Sequence, residues 1–343
     1  MMNETINLIM VGRLRRRRRF ILVTSILAFI AFALCCTMLM LGNTIYPVQD
    51  VIRVLLGEDV KGASFAVGTI RLPRMIAGLF AGFAFGVAGT VFQTMLRNPL
   101  ANPNVIGITA GSSAAAVFCI IVLQASNSVV SFASIVGGLA TVFIIFLLSK
   151  STSFSIGRLI LVGIGIQAML NAVISYLLLI GRQHDIPTAM RWITGSLNGA
   201  KMENLSPLIM TVLLFAPIII VLAKRLDMLE LGEQAATSLG VDTDKTRLAL
   251  IISSVLIIAL ATATTGPIAF VAFLSGPIAK RLVGVGFQTI IPAGLVGIIL
   301  VLASDLIGQF AFAARYPVGV ITGILGAPYL IYLLIRMNRK GDL

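Results

Sequence analysis

From Phe20 almost to its last residue the chain is a succession of apolar blocks, each close to the length of a membrane span. A bilayer core of about 30 Å takes roughly 20 apolar residues per helix, so this spacing restricts the chain to a bundle of membrane-crossing helices. Composition agrees. Of 343 residues, 58% are hydrophobic and 11% charged, more apolar surface than a soluble domain can cover. The expected fold is an all-α integral membrane protein forming one transmembrane domain over residues 1–343.

The predicted spans are Phe20–Leu41, Arg74–Met95, Val105–Leu123, Val129–Ser149 and Leu159–Ile180, then Leu205–Ala223, Leu248–Thr264, Ile268–Val285, Thr289–Phe310 and Val318–Ile335. The seventh and eighth form one apolar run, broken by Gly266-Pro267 and Gly276-Pro277. Charge arbitrates between one span and two. Ten spans place most of the 26 lysines and arginines on the side of the N-terminus, whereas fusing the pair nearly equalises the two sides. The positive-inside rule therefore favours ten spans with both termini cytoplasmic. The basic stretch 1–19, with Arg13 and Arg15 to Arg19, resembles the start of a signal peptide. Its apolar run is too long and no small-residue cleavage site follows, so it reads as an uncleaved first span.

The formal charge of +13 punctuates the apolar blocks instead of forming a patch, so lipid is the expected partner and nucleic acid is not. Cys35, Cys36 and Cys119 match no metal or disulfide spacing and read as apolar fillers. Gly78, Gly82 and Gly86, like Gly319 and Gly323, recur every four residues, which lets helix backbones approach closely in lipid. Proline breaks at Pro99, Pro103, Pro267, Pro277 and Pro317 suggest interrupted helices, which are tolerated at membrane depth only against protein or a wet cavity. That favours a transporter over an anchor. The halves have similar lengths, compatible with inverted repeats, although no repeat is visible in the residues.

No Gly-Lys dipeptide occurs, so there is no Walker-type phosphate loop, and no metal-ligand or nucleophile motif is present. The chain is not expected to be an enzyme, with no catalytic residue, metal or directly bound cofactor. His184, the sole histidine, sits in the polar stretch GRQHDIPTAMRW and reads as solvated. Asp305 is the one carboxylate well inside a predicted span. It is either a structural group near the outer end, bonded to helix termini or water, or the coupling site of an ion-driven carrier. Arg71 and Arg74 (RLPR) at the outer mouth of the second span, and Arg315 before the last, run against the usual charge distribution. They either pair with carboxylates of an external partner or snorkel to headgroups.

The long polar interval Leu226–Arg247 lies between the halves. Leu231, Ala235 and Leu239 recur every four residues on one face of a short helix, with Ala235 and Ala236 expected on its surface. Gly240 stands where a left-handed residue would end that helix, and Asp242 where a second would be N-capped. The interval is either a receiving surface for another protein or a solvated loop.

Several blocks resemble one family. RLPR at 71–74 and GVAGTVFQTMLRNPLANPNVIGITAG at 86–111 are similar to the iron–siderophore (FecCD-type) permease family of ABC importers, which includes the cobalamin importer's membrane subunit. WITGSLNG at 192–199, LELGEQAATSLGVD at 229–242, GPIAFVAF at 266–273 and YPVGVITGILGAPYLIYLL at 316–334 follow in the same order. The resemblance implies a type II importer permease in the bacterial cytoplasmic membrane, with ten helices and a second permease subunit, identical or related, across a central path. It also implies two cytoplasmic ATPase subunits that consume ATP and an extracytoplasmic substrate-binding protein. Ferric siderophore is the implied cargo, with cobalamin or haem as the alternative within the family.

On that resemblance, residues 224–247 form the coupling loop, with Leu231, Gly232, Glu233, Ala235, Ala236, Leu239 and Gly240 facing the ATPase. Arg71 and Arg74 dock glutamates of the binding protein, and Gln93, Arg97, Asn98 and Pro99 lie at the inner turn; Arg315 is no family position but is expected to add a docking charge beside them. Two departures stand out. Ser275-Gly276-Pro277-Ile278-Ala279-Lys280 lacks the family's histidine, so no role is carried to that turn. Arg315-Tyr316-Pro317 replaces Glu-Leu-Pro, while Gln309 stands where the family has an arginine.

Overall fold

The computed structural model describes residues 2–150, 156–284 and 286–340. Among them the chain is helical, without strands. A first helix α1 (Met2–Met40) is followed by a short α2 (Val48–Leu55) and a π-helical segment, Ser64–Arg71, that runs directly into α3 (Leu72–Met95). Then come α4 (Ile108–Ile121), α5 (Asn127–Ser149), α6 (Ile156–Ile180) and the short α7 (Ile186–Thr194). The second half holds α8 (Ser206–Glu230), α9 (Glu233–Ser238), α10 (Thr243–Thr265), α11 (Val271–Val283), α12 (Ile290–Phe310) and α13 (Val318–Lys340).

Among the described residues, eight helical stretches are long and apolar enough to cross a membrane. The remaining two of the ten expected spans, α4 and α11, are short. Their 14 and 13 residues reach only about 20 Å at 1.5 Å per residue. Each follows a residue with left-handed backbone, Gly107 (φ 72°) and Phe270 (φ 64°), so an irregular turn completes the depth. These helices correct the expected Val105–Leu123 and Ile268–Val285; Val285 lies outside the described residues. A further correction is that α1 begins well before Phe20; the short helices α2 and α7 lie between the first and second and between the fifth and sixth spans.

Tertiary bonds fix the direction of the helices. Arg71 reaches the end of α1, Arg74 the end of α12, and Ser196 N–H donates to Thr265 O at the end of α10 (2.7 Å). At the opposite pole Arg19 donates to Leu282 O at the end of α11 (2.9 Å), and Arg97 to Leu229 O at the end of α8 (3.2 Å). The ten long and short spans thus alternate in direction, and α10 and α11 are separate helices. With the arginine-rich start of α1 taken as cytoplasmic, the second pole is the inner one.

The centre is a glycine seam. A Cβ on Gly82 would stand 2.7 Å from Gly297 O, and one on Gly86 would meet Ala293 O, both on α12; one on Gly89 would meet Ala272 O on α11. Because the opposing atoms are backbone, α3 sits on α12 and α11 at a separation only glycine permits. At the outer pole three of the sequence blocks converge. Gly195 packs on Pro267 O (2.6 Å from its would-be Cβ), Gly266 on Gly195 Cα (3.0 Å), and Gly319 donates its N–H to Gly195 O (3.2 Å). The glycines of WITG, GPIA and YPVG therefore share one knot.

Candidate functional site

At the inner pole the polar interval folds as its residues dictate. Gly240 has φ 81°, and Val241 N–H donates to Ala236 O (3.0 Å), closing α9 with a left-handed C-cap. Asp242 accepts from Lys245 N–H at 3.1 Å and starts α10. The Lys245 ammonium, which also contacts it at 2.9 Å, holds the Asp242 carboxyl below the usual range. Leu231 and Leu239 are 68% and 58% exposed, so two large apolar side chains stand in water. Ala235 is half-buried, but Ala236 is fully buried. That corrects the expected surface position: Ala236 faces the bundle and pins α9 to the core. A second anchor is Arg247, buried at the start of α10, whose Nη2 lies 3.2 Å from Glu233 Oε2. Gly232 (φ 125°) makes the entry.

Gln93, Arg97, Asn98 and Pro99 gather at the foot of α3, beside the end of α8. Arg97 adopts φ 51°, and Asn98 N–H donates to Gln93 O (3.0 Å), so an arginine fills the C-cap position that glycine usually takes. Asn98 Oδ1 accepts from Leu100 N–H (2.8 Å) in the exposed turn with Pro99. Gln93 is buried and faces away from solvent. Its Nε2 donates at 2.8 Å to Phe273 O, the carbonyl four residues before Pro277. Proline has no N–H to offer that carbonyl, so Gln93 supplies the missing donor. This corrects the expected break at Pro277: α11 runs through it, and the Ser275–Lys280 stretch is helix, with Gly276 leaving room for Gln93. Lys280 pairs with Glu230 across the inner pole (2.7 Å).

At the outer pole Arg71, Arg74 and Arg315 line one pocket of about 240 Å³, together with Gly42, Asn43, Asn198 and Gln309. Arg71 donates to Leu39 O (2.9 Å), Met40 O (2.7 Å) and Thr44 O (2.7 Å), capping α1, and lies 5.0 Å over the Tyr46 ring. Arg315 bonds Asn43 Oδ1 at 2.6 Å. Arg74 makes a bidentate pair with Asp305, Nε to Oδ2 and Nη2 to Oδ1, both 2.8 Å; Gln309 Nε2 adds 2.7 Å to Oδ2. Asp305 is 1% exposed. Its partners among the described residues are thus the Arg74 guanidinium and the Gln309 amide, and a carboxylate enclosed by a guanidinium is poorly placed to bind a transported ion. His184 is 98% exposed at the side chain.

One feature escaped the sequence reading. Along α6, Gln167 is half-buried and Asn171 and Ser175 are exposed, and Gly165 has nothing within 4 Å. Polar side chains on a lipid-facing helix are costly, and this stripe meets part of that cost itself, Ser175 Oγ donating to Asn171 O at 2.9 Å. Its four-residue period within an apolar span was the available signal. Among the described residues no cluster of three or more histidine, cysteine or acidic side chains is placed to hold a metal.

The chain is similar to several known proteins. The ferric enterobactin permease FepG of Escherichia coli is 35% identical over 303 residues, covering 87% of this chain and 91% of that one. The achromobactin permease CbrC of Dickeya dadantii is 34% identical, covering 98% and 95%. The cobalamin import permease BtuC of Halobacterium salinarum is 31% identical, covering 79% and 74%. A solved structure of a metal-chelate type ABC transporter in an inward-facing conformation superposes with a TM-score of 0.81 at 26% identity, covering 92% of this chain and 99% of that one. Residues 27–336 match the FecCD transport family. With that match spanning nearly the whole described bundle, the chain belongs to the FecCD transport family of ABC-type permeases.

Proposed function

We propose that this chain is the membrane subunit of a bacterial cytoplasmic-membrane importer that carries a ferric siderophore inward, energised by a separate ATPase. The observation that carries the reading is the α9 loop. Leu231 and Leu239 present exposed apolar side chains at the inner pole, on a loop anchored from within by Ala236 and by Arg247–Glu233. Exposed apolar groups on an internally fixed loop mark a docking surface. A push delivered there enters α8 and α10 directly, and through Arg97 on Leu229 O it reaches α3. ATP binding and hydrolysis belong to the docked subunit, because this chain carries no phosphate-binding loop.

The arginine pocket receives acidic side chains of an external binding protein, and the α6 stripe faces a second permease subunit across the path. The ferric enterobactin named for FepG supports a siderophore cargo; the halobacterial cobalamin permease keeps cobalamin as the second reading. Photo-crosslinkers at Leu231 and Leu239 test the loop in membranes of the native host. The expected product is an adduct with an ATPase subunit, absent when the crosslinker replaces the equally exposed Leu161 on α6. Equal labelling at all three positions would sink the docking role.

A further inference from the structure

Of the three guanidiniums in the outer pocket, only Arg74 has an acidic partner among the described residues. Arg71 and Arg315 bond neutral oxygens, carbonyls in one case and the Asn43 amide in the other, so their charge is uncompensated. Asp305 lies behind Arg74, takes its Nε and Nη2 at 2.8 Å each, and does not line the pocket. Arg74 Nη1 makes no such bond, and the side chain is 15% exposed. The helices that carry the two residues are locked together by the Gly82–Gly297 and Gly86–Ala293 contacts, so the pair cannot open by parting α3 from α12.

We propose that Asp305 is a positioning residue for docking: it fixes the Arg74 fork with one edge toward the pocket and offsets its charge, so that an acidic partner binds weakly enough to leave. This rests on the reading of the pocket as a receiver of carboxylates. Two charged arginines draw the partner in, since opposite potentials speed encounter. The third gives directional hydrogen bonds while its attraction is shared with Asp305. A delivery protein that must dock and depart in every cycle gains from a moderate rather than a maximal grip. Gln309, donating to Asp305 Oδ2 at 2.7 Å, competes with Arg74 for the same oxygen and limits the offset.

The test measures association and dissociation of the host's purified, fluorescently labelled binding protein with the nanodisc-held transporter, across a salt series. Asp305→Asn is expected to tighten docking about tenfold at low salt, mainly through slower dissociation, and to steepen the salt dependence, because screening acts on uncompensated charge. That gain should vanish in an Arg74→Gln background, as a double-mutant cycle requires of a residue acting through another. Gln309→Leu, which leaves the ion pair intact and so guards against misfolding of Asp305→Asn, should shift docking the opposite way. Unchanged or weaker docking by correctly inserted Asp305→Asn, with no opposite shift for Gln309→Leu, overturns the proposal. Arg71→Glu with Arg315→Glu separates the two levels: if it abolishes docking while Asp305 variants do nothing, only the role of Asp305 falls. If it leaves docking unchanged, the pocket reading falls and the proposal with it.

Discussion

Replacing Gln93 by methionine tests how α11 survives Pro277. Methionine has nearly the volume of glutamine, so packing is conserved while the Nε2 donor to Phe273 O is lost. Both residues are 7% exposed, so no water readily replaces the donor. A buried carbonyl left unpaired costs about 1–3 kcal/mol. The same carbonyl would be satisfied by the N–H of an alanine at 277, because that is its ordinary helical donor. Gln93→Met alone should therefore lose about 1–3 kcal/mol, Pro277→Ala alone should be near neutral, and the double variant should recover most of the loss. The coupling energy is expected in the same range of about 1–3 kcal/mol. Denaturant titration in mild detergent reads it, with Trp192 as reporter: it is the sole tryptophan and sits in the outer glycine knot beside Gly266. A double variant as unstable as Gln93→Met, or a Gln93→Met protein as stable as the parent, would refute the assignment of Gln93 as the surrogate donor.

Other outcomes follow from the same structure. A Cβ at Gly240 meets nothing within 4 Å, so substitution there costs only the left-handed backbone, about 1–2 kcal/mol for an ordinary residue. Transport per ATP in proteoliposomes should fall in the order Asn, Ala, Val at 240 with insertion intact, and equal coupling across the series would contradict the cap. Gly89→Ala drives its Cβ into Ala272 O and should destabilise by about 1–3 kcal/mol. The same change at Gly12, which has nothing within 4 Å, should leave the denaturation midpoint unmoved. Charge reversal of Arg71 and Arg74 together should weaken binding-protein docking at least tenfold at low salt; unchanged docking in a folded variant would return these residues to a purely structural role.

Sequence exposed what is local in this molecule and hid what is not. Apolar blocks of span length marked the long helices, and Gly240 and Asp242 announced their caps because capping is written in neighbouring residues. The shortness of α4 and α11 was not legible, since the left-handed Gly107 and Phe270 that begin them are set by packing against other helices. Pro277 looked like a break because its remedy, Gln93, lies 180 residues away. Asp305 looked solitary because Arg74 is 231 residues away. Ala236 was misplaced for a related reason: a six-residue helix has too few turns for periodicity to say which face meets the bundle. The outer-mouth role of Arg71 and Arg74 was implied by the resemblance, whereas their gathering with Arg315 in one pocket and the hydrogen bonds that occupy them needed the fold.

The most direct test of the account is to purify the tagged chain from its native host, identify its partners by mass spectrometry, and assay uptake in liposomes made from the recovered complex. An ATPase is expected in the complex, with uptake of a radioiron-loaded siderophore that requires ATP on the inner-pole side. Recovery of the chain alone, driving uptake under an ion gradient without ATP, would contradict it.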